Sequence, residues 1–339
     1  MSNSSLPAIR LDVHQHVWTG PLVDALAARG ELPFVRFERG LAVMHLAGEH
    51  PYVIDLAAEA VARRRRLIEL DGLDSALVCL SSPLGIESLP RDQALPLIAA
   101  YHEGAHALGD GFGVWGSIAL DDPDPGDVDD LLDAGCVGLS LPAGAIASVA
   151  SLERIAPVLA RLQARSAPLF VHAGPPVRDG RRGGEAHALR DPLWWPALTS
   201  YVAQMHDAWL AFSSAGRAEH PRLRIVFSML AGLAPLHFER LRSRGAPVPR
   251  LDDPLTFYDT ASYGARAVSA VAELVGAEQM LYGSDRPVVE PAELDMPHAL
   301  EWEAVAAGTR RAFRSALPAA GVESRTPGPS SDRVLLNAR

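Results

Sequence analysis

The sequence contains no lysine: the 31 residues counted as lysine or arginine are all arginine. This absence excludes a Schiff-base lysine and a two-metal site bridged by a carboxylated lysine. Cysteine is scarce as well: only Cys79 and Cys136 occur, each within an apolar, strand-like run. Such a pattern is typical of buried free thiols in a reducing compartment, and it argues against a disulfide or a cysteine metal site.

Long apolar runs and positive net charge are also missing. No run of about 18 apolar residues suggests a membrane span, and no N-terminal apolar segment resembles a signal peptide. The formal net charge of −10 disfavours nucleic acid and anionic membranes as partners. The run Arg63–Arg66 lies in a helical pattern and is expected to be a solvated helix face. We therefore expect a cytoplasmic protein that acts on a small-molecule substrate.

Eight short apolar segments alternate with helical patterns along the 339 residues, which predicts an α/β fold with a parallel sheet. The predicted strands are Ile9–Val13, Ser75–Leu80, Gly113–Leu120, Val137–Leu141, Leu169–Val171, Arg224–Ser228, Thr256–Asp259 and Gln279–Gly283. Eight such units close most simply into a (β/α)8 TIM barrel, here a single domain over residues 1–339. A doubly wound sheet would need a glycine-rich phosphate turn, and none is present.

Two segments depart from the plain alternation. Residues 19–51 are too long for a simple connection and predict an insertion near the site, followed by a helix over Ile54–Leu70. After the eighth strand, a helical extension over about Ala299–Ala316 and a linker at 317–331 precede the terminal segment.

Histidines and an aspartate stand at three of the predicted strand ends. His14 and His16 follow the first strand, and alternation points both side chains to one side. The carboxyl ends of barrel strands share one mouth, so His172 and Asp285 come to the same place from strands five and eight. Three imidazoles and a carboxylate can hold one divalent ion, with zinc first and manganese, iron or cobalt possible.

The three strand-end motifs resemble the amidohydrolase superfamily, in particular the amidohydrolase-related branch with aromatic-acid decarboxylases and small lactonases. They are DVHQH at Asp12–His16, PLFVHAG at Pro168–Gly174 and LYGSDRP at Leu281–Pro287. The resemblance implies a single-metal barrel whose ligands are His14, His16, His172 and Asp285. Barrels of this branch often pair, which implies a possible homodimer with the tail helix as its interface.

The sixth strand departs from the pattern of that branch. A histidine usually stands there, in a sequence like His-Leu-Gly-Gly, and Met229 takes its place. A thioether cannot transfer a proton and binds zinc poorly, so Met229 counts against the decarboxylase chemistry. Asp285 can still serve as the base for hydrolysis.

The leading hypothesis is a metal-dependent hydrolase in which zinc-held water, deprotonated by Asp285, attacks the carbonyl of a lactone or amide. Two alternatives stay open: a non-oxidative decarboxylase of an aromatic or unsaturated acid, and a barrel that binds a ligand without catalysis.

Four residues are candidates for contacts with the substrate. Arg286 could clamp a substrate carboxylate or make a structural salt bridge. Arg240 resembles a substrate-binding arginine of the branch, with an ordinary surface residue as the alternative. Trp18 would form an aromatic wall or pack in the core, and Met229 would line the pocket.

Overall fold

The computed structural model describes residues 9–174, 192–246, 249–291 and 302–313. The strands are β1 (Leu11–His16), β2 (Phe34–Glu38), β3 (Leu41–His45), β4 (Tyr52–Ile54), β5 (Ser75–Cys79), β6 (Phe112–Gly116), β7 (Gly138–Pro142), β8 (Leu169–His172), β9 (Ile225–Phe227), β10 (Thr256–Asp259) and β11 (Met280–Leu281). The main helices are α1 (Gly20–Ala27), α2 (Val61–Leu70), α3 (Arg91–His106), α4 (Pro125–Asp133), α5 (Val149–Ala164), α6 (Ser200–Ala211), α7 (Phe238–Ser243), α8 (Ala265–Val275) and α9 (Trp302–Ala312). Shorter helical turns include Ile86–Ser88, Trp195–Leu198 and Ala234–His237.

The eight parallel strands form one sheet in the order β1-β5-β6-β7-β8-β9-β10-β11. The first and last strands of this sheet meet and close it into a barrel. The N–H of Val13 donates to the carbonyl of Tyr282 at 2.8 Å, and the N–H of Asp285 donates to the carbonyl of His14 at 2.9 Å. Helices follow the strands around the outside, as short strands buried on both faces require. The predicted (β/α)8 barrel is thereby confirmed, with its insertion after β1 and its C-terminal helix α9.

Large apolar side chains fill the barrel interior below the histidines. The rings of Trp115 and Phe170 stack with their centroids 5.1 Å apart, and Phe170 lies 5.0 Å from the ring of His14. Phe313, which directly follows α9, is fully buried against Trp115 at 5.5 Å. This layer gives the histidine end of the barrel a rigid apolar floor, because filled interiors are close-packed.

The insertion after β1 folds into α1 and a three-stranded antiparallel sheet, β2-β3-β4. The helix predicted from Ile54 begins only at Val61, because Tyr52–Ile54 pair with β3 instead. Tyr201 on α6 donates a hydrogen bond to Glu49, which lies between β3 and β4. The insertion therefore contacts the helical segment that follows the fifth barrel strand.

The prediction of a solvated arginine run is wrong at Arg64, although Arg63 and Arg66 are exposed. Arg64 is 4% exposed; its Nη1 donates to Glu59 at 3.1 Å and its Nη2 to Gln15 Oε1 at 2.9 Å. Gln15 in turn donates to Asp12, so this buried chain of polar groups fixes β1 next to the site. A buried guanidinium of this kind requires such partners.

Three further expectations concern the cysteines, membrane-spanning helices and the C-terminal tail. Both cysteines are free and buried, as expected. Among the described residues, no helix is long and apolar enough to cross a membrane. The predicted linker at 317–331 and the terminal segment lie outside the described residues.

Candidate metal centre

The structure brings the four residues predicted as ligands together at the carboxyl end of the barrel. One ligand atom from each of His14, His16, His172 and Asp285 lies within 4.8 Å of all the others. The three imidazole rings are nearly perpendicular, with centroids between 4.8 and 5.0 Å apart. All three histidines are buried, while the side chain of Asp285 is 13% exposed and thus faces the mouth.

The outer nitrogen of each histidine is held by an oxygen that can only accept a hydrogen bond. Nδ1 of His14 lies 2.8 Å from Asp259 Oδ2, that of His16 lies 3.2 Å from the Cys79 carbonyl, and that of His172 lies 2.7 Å from the Ala173 carbonyl. Each Nδ1 therefore carries the proton, which leaves a lone pair on Nε2. This arrangement is typical of imidazoles that bind a metal through Nε2.

The inner atoms of the site form a cluster of acceptors. Nε2 of His14 and Nε2 of His16 are 3.2 Å apart, and Asp285 Oδ1 lies 3.5 and 3.1 Å from them. Two lone pairs and a carboxylate oxygen at these distances repel one another unless a proton or a metal cation lies between them. The donor set of three nitrogens and one oxygen fits one divalent metal ion. These four residues can hold a metal.

The surroundings favour the protonation states that a metal ligand needs at Asp285 and His172. At His16, burial is outweighed by the contacts with Cys79 and Asp285, which raise the pKa of the imidazole well above its usual value. Burial alone would raise the pKa of Asp285, but the hydrogen bond with His16 and the charges of the histidines outweigh it and lower that pKa to about 2. Burial lowers the pKa of His172 well below its usual value, and the neighbouring His14 and His16 lower it further. Asp285 is thus a carboxylate and His172 a neutral imidazole at neutral pH.

Asp259, the last residue of β10, is a positioning residue that the sequence reasoning missed. It is fully buried, and its Oδ1 accepts the main-chain N–H groups of Met229 at 2.8 Å and Ala261 at 3.0 Å. Its Oδ2 accepts the proton of His14 Nδ1. Its position at a strand end, like that of Asp285, was the one signal that could have pointed to it.

The segment after β9 makes a left-handed turn in which Met229 is the first residue. Met229, Leu230, Ala231 and Leu233 have φ values of 53°, 51°, 54° and 68°, with Gly232 at 62° between them. Side chains other than glycine adopt this region at a cost of about 1–2 kcal/mol each. The side chain of Met229 is buried against apolar neighbours. Its thioether cannot transfer a proton, so Met229 adds no proton-transfer group to the centre.

The remaining predicted residues lie outside the group of four ligands. The guanidinium of Arg286 pairs with Asp71 at 3.2 Å and with Glu290 at 2.7 Å, which is the structural salt bridge considered above. Trp18 is 5% exposed and belongs to the core cluster of the insertion. Arg240 is exposed on α7, where it borders a groove of about 320 Å³ that includes His206 and His237.

The family assignment follows from a comparison of the whole chain. A family model described as Amidohydrolase matches residues 11–319, which include all four ligand candidates. The chain belongs to this amidohydrolase family. No curated protein matches the sequence of this amidohydrolase.

Solved structures that resemble this amidohydrolase include an enzyme named IDCase and two 5-carboxyvanillate decarboxylases. IDCase from Metarhizium anisopliae has a TM-score of 0.70 at 15% identity, over 91% of this chain and 95% of that one. The 5-carboxyvanillate decarboxylase of Sphingomonas paucimobilis has a TM-score of 0.63 at 17% identity, over 91% and 99%. That of Novosphingobium aromaticivorans, solved with bound manganese, has a TM-score of 0.65 at 13% identity, over 91% and 97%. At these identities the likeness concerns the fold.

Membership of the amidohydrolase family supports an enzyme. The amidohydrolase barrel presents a candidate metal centre in which Asp285 is the only one of the four ligands whose side chain is partly accessible. Active sites of TIM barrels occupy the carboxyl face on which this centre lies, which is where substrates enter.

Proposed function

We propose that this amidohydrolase is a zinc-dependent hydrolase that cleaves a lactone, an amide or a similar carbonyl compound. The observation that carries the proposal is the convergence of three Nε2 lone pairs and Asp285 Oδ1, each fixed by hydrogen bonds. A divalent ion bound there supplies Lewis acidity and lowers the pKa of water to near 7. Three imidazole nitrogens suit zinc better than magnesium or calcium.

In the proposed hydrolysis, the carboxylate of Asp285 accepts the proton of the attacking water. Oδ1 of this carboxylate faces the histidines, while Oδ2 lies 3.4 Å from the hydroxyl of Ser262. Oδ2 is therefore the atom that takes the proton of the attacking water and later releases it.

The substrate is proposed to be small and to carry a carboxylate. Arg240 is an exposed guanidinium on α7, in the segment that follows the left-handed turn, and it would pair with that carboxylate. Arg286 is less suited to this role, because Asp71 and Glu290 already neutralise it.

Decarboxylation is the second candidate, and the two structural neighbours that are 5-carboxyvanillate decarboxylases favour it. In that reaction the same centre would bind the carboxylate of an aromatic acid. Met229 counts against it, because the segment after β9 then offers no proton donor for the ring carbon.

A substrate panel with the zinc-loaded protein separates the two reactions. Lactones and amides are followed by acid release, and aromatic acids are followed by release of carbon dioxide. We expect hydrolysis that Asp285→Asn abolishes, while Asp252→Asn, a change in an exposed ion pair with Arg250, leaves it intact. Carbon dioxide release without hydrolysis of any ester or amide would refute the proposal. Elemental analysis of protein purified without chelators should give about one zinc per chain.

A further inference from the structure

The insertion after β1 makes contact with the opposite side of the barrel. β1 and β8 stand first and fifth among the strands of the closed ring, so the same number of strands separates them in either direction. Glu49 lies in the insertion between β3 and β4, and Tyr201 is the second residue of α6, the long helix that follows β8. The hydrogen bond that Tyr201 donates to Glu49 therefore joins segments that leave the barrel on opposite sides.

Tyr201 lies at the mouth of the barrel, on the side of the fifth strand. The connections from strand to helix lie at the carboxyl end of a TIM barrel, so α6 begins at that end. Gln204 in the first turns of α6 is buried, and its Oε1 accepts the main-chain N–H of Gly174 at 2.7 Å. Gly174 follows the ligand candidate His172 and Ala173 in the sequence. The start of α6 is thus attached to the segment that carries one of the four ligands.

The root of the insertion is held on the first side of the barrel. The insertion starts shortly after the ligand candidate His16, and Arg29 beyond α1 donates from Nη2 to Gln93 Oε1 at 3.1 Å. Gln93 lies on α3, which follows β5, the strand that pairs with β1. The insertion is therefore fixed beside His16, while Glu49 reaches the helix that begins beside His172.

A second close approach shows that the connections at this end converge over the centre. A Cβ placed on Gly174 would lie 2.9 Å from the main-chain nitrogen of Pro83, and the φ of Gly174 is 93°, so glycine is required there. Pro83 follows β5, the second strand of the ring, whereas Gly174 follows the fifth. The three histidine ligands are buried although they lie at the open end of the barrel. The insertion and the Gly174 segment thus both extend across the mouth.

We propose that Glu49 and Tyr201 determine the size of the molecule that reaches the metal centre. Their hydrogen bond ties the insertion across the mouth, so a bulky molecule enters only when the bond breaks and the insertion moves away. A small molecule passes beside the closed insertion to Asp285, whose side chain is 13% exposed. The inference rests on the function proposed above only for the metal ion. It narrows the substrate to a carbonyl compound with one ring or a short chain.

The size of the effect follows from the strength of the tie. One hydrogen bond to a carboxylate shifts an equilibrium between two states by about 10-fold or more. Tyr201→Phe removes only the hydroxyl group, and the ring can keep its place against the main core cluster. The share of open molecules, and with it the entry of bulky molecules, should therefore rise by about 10-fold in this variant.

The first test measures how fast metal-binding molecules of two sizes reach the centre. Acetohydroxamate and a naphthyl hydroxamate are mixed with protein that holds cobalt(II) in place of zinc, and the change in cobalt absorbance gives each rate. The variants are Tyr201→Phe, Glu49→Ala and the double variant, with Glu38→Ala as the matched control. Glu38 is an exposed glutamate of the same insertion, and it faces His45 at 3.9 Å.

We expect the naphthyl probe to bind about 10-fold faster in both single variants, and acetohydroxamate to change by less than about 2-fold. The double variant should be no faster than the single variants, because all three lack the same bond. Glu38→Ala should match the wild type. A naphthyl rate in Tyr201→Phe equal to that of the wild type would overturn the proposal, and so would an equal acceleration of both probes.

The second test needs neither metal nor substrate. Spin labels at Phe37→Cys in the insertion and at Leu210→Cys on α6, both exposed positions, report the distance between the two elements in metal-free protein. We expect one narrow distance in the otherwise unchanged protein and an added longer distance when Tyr201→Phe is introduced. Identical distance distributions would overturn the tie. Failure of the hydrolase function would instead appear as a missing metal or as a substrate panel without turnover, with the distance change intact.

Discussion

We expect Asp259→Asn to weaken metal binding by changing which nitrogen of His14 carries the proton. Asp259 Oδ1 accepts two main-chain N–H groups, from Met229 and Ala261, and Oδ2 accepts Nδ1–H of His14. Asparagine has only one oxygen, and the two main-chain donors hold it at the position of Oδ1. Its amide nitrogen then faces His14 and donates to Nδ1, which moves the imidazole proton to Nε2. A protonated Nε2 cannot bind a cation.

The size of the effect follows from the number of ligands affected. One of four ligands is compromised, and the loss of a partner behind a ligand typically costs about 10- to 100-fold in metal affinity. This loss corresponds to about 1.4–2.7 kcal/mol of binding free energy. It can be measured at neutral pH by competition for zinc with a chromophoric chelator.

The matched control is Asp253→Asn near the other end of the same strand, where Asp253 pairs with Arg217 at 2.8 Å. This variant should bind zinc as the wild type does. Equal zinc affinity of Asp259→Asn and the wild type would refute the reasoning. So would a nitrogen NMR spectrum in which His14 of the Asp259→Asn variant keeps its proton on Nδ1.

Three further predictions concern stability. Ala231→Gly and Ala208→Gly both remove a fully buried methyl group, but only Ala231→Gly also relieves a left-handed φ. In urea titrations, Ala208→Gly should therefore lower the free energy of unfolding by about 1–2 kcal/mol more than Ala231→Gly does. The pKa of Glu87 is raised on folding, so its proton stabilises the fold at low pH and this stability is lost as pH rises from about 4 to 7. Glu87→Gln should thus be more stable than the wild type by up to about 3 kcal/mol at pH 8, with the difference vanishing near pH 4, and a difference independent of pH would contradict the raised pKa. Zinc at 100 times its Kd should stabilise the wild type by about 2.7 kcal/mol in thermal unfolding, and the same zinc concentration should leave His172→Ala nearly unchanged.

The sequence was sufficient to predict the barrel and the residues that meet at its mouth. His14, His16, His172 and Asp285 each follow or end an apolar run, and the closed barrel has only one place where carboxyl ends of strands converge. Local pattern and global topology therefore lead to the same residues.

Features that depend on distant partners could not be predicted. Asp259 contacts a histidine 245 residues away, and in the sequence it is merely an acidic residue before a turn. Arg64 has the local pattern of a surface helix, but Glu59 and Gln15 meet it in the interior. The left-handed turn that begins at Met229 contains a single glycine, so its backbone conformation has almost no local signal.

A metal ion held by the four candidate ligands would join the first and last strands of the barrel at their seam. His14 and His16 belong to the first strand, and Asp285 follows the last, where Ser284 donates to Asp12 across 272 residues of chain. Contacts at such separations form late, because the entropy of closing a long loop opposes them. An ion bound by these residues bridges both sides of the seam, so it can be held fully only by chains whose ring of strands has closed. Metal binding would therefore stabilise closed barrels relative to partly assembled ones.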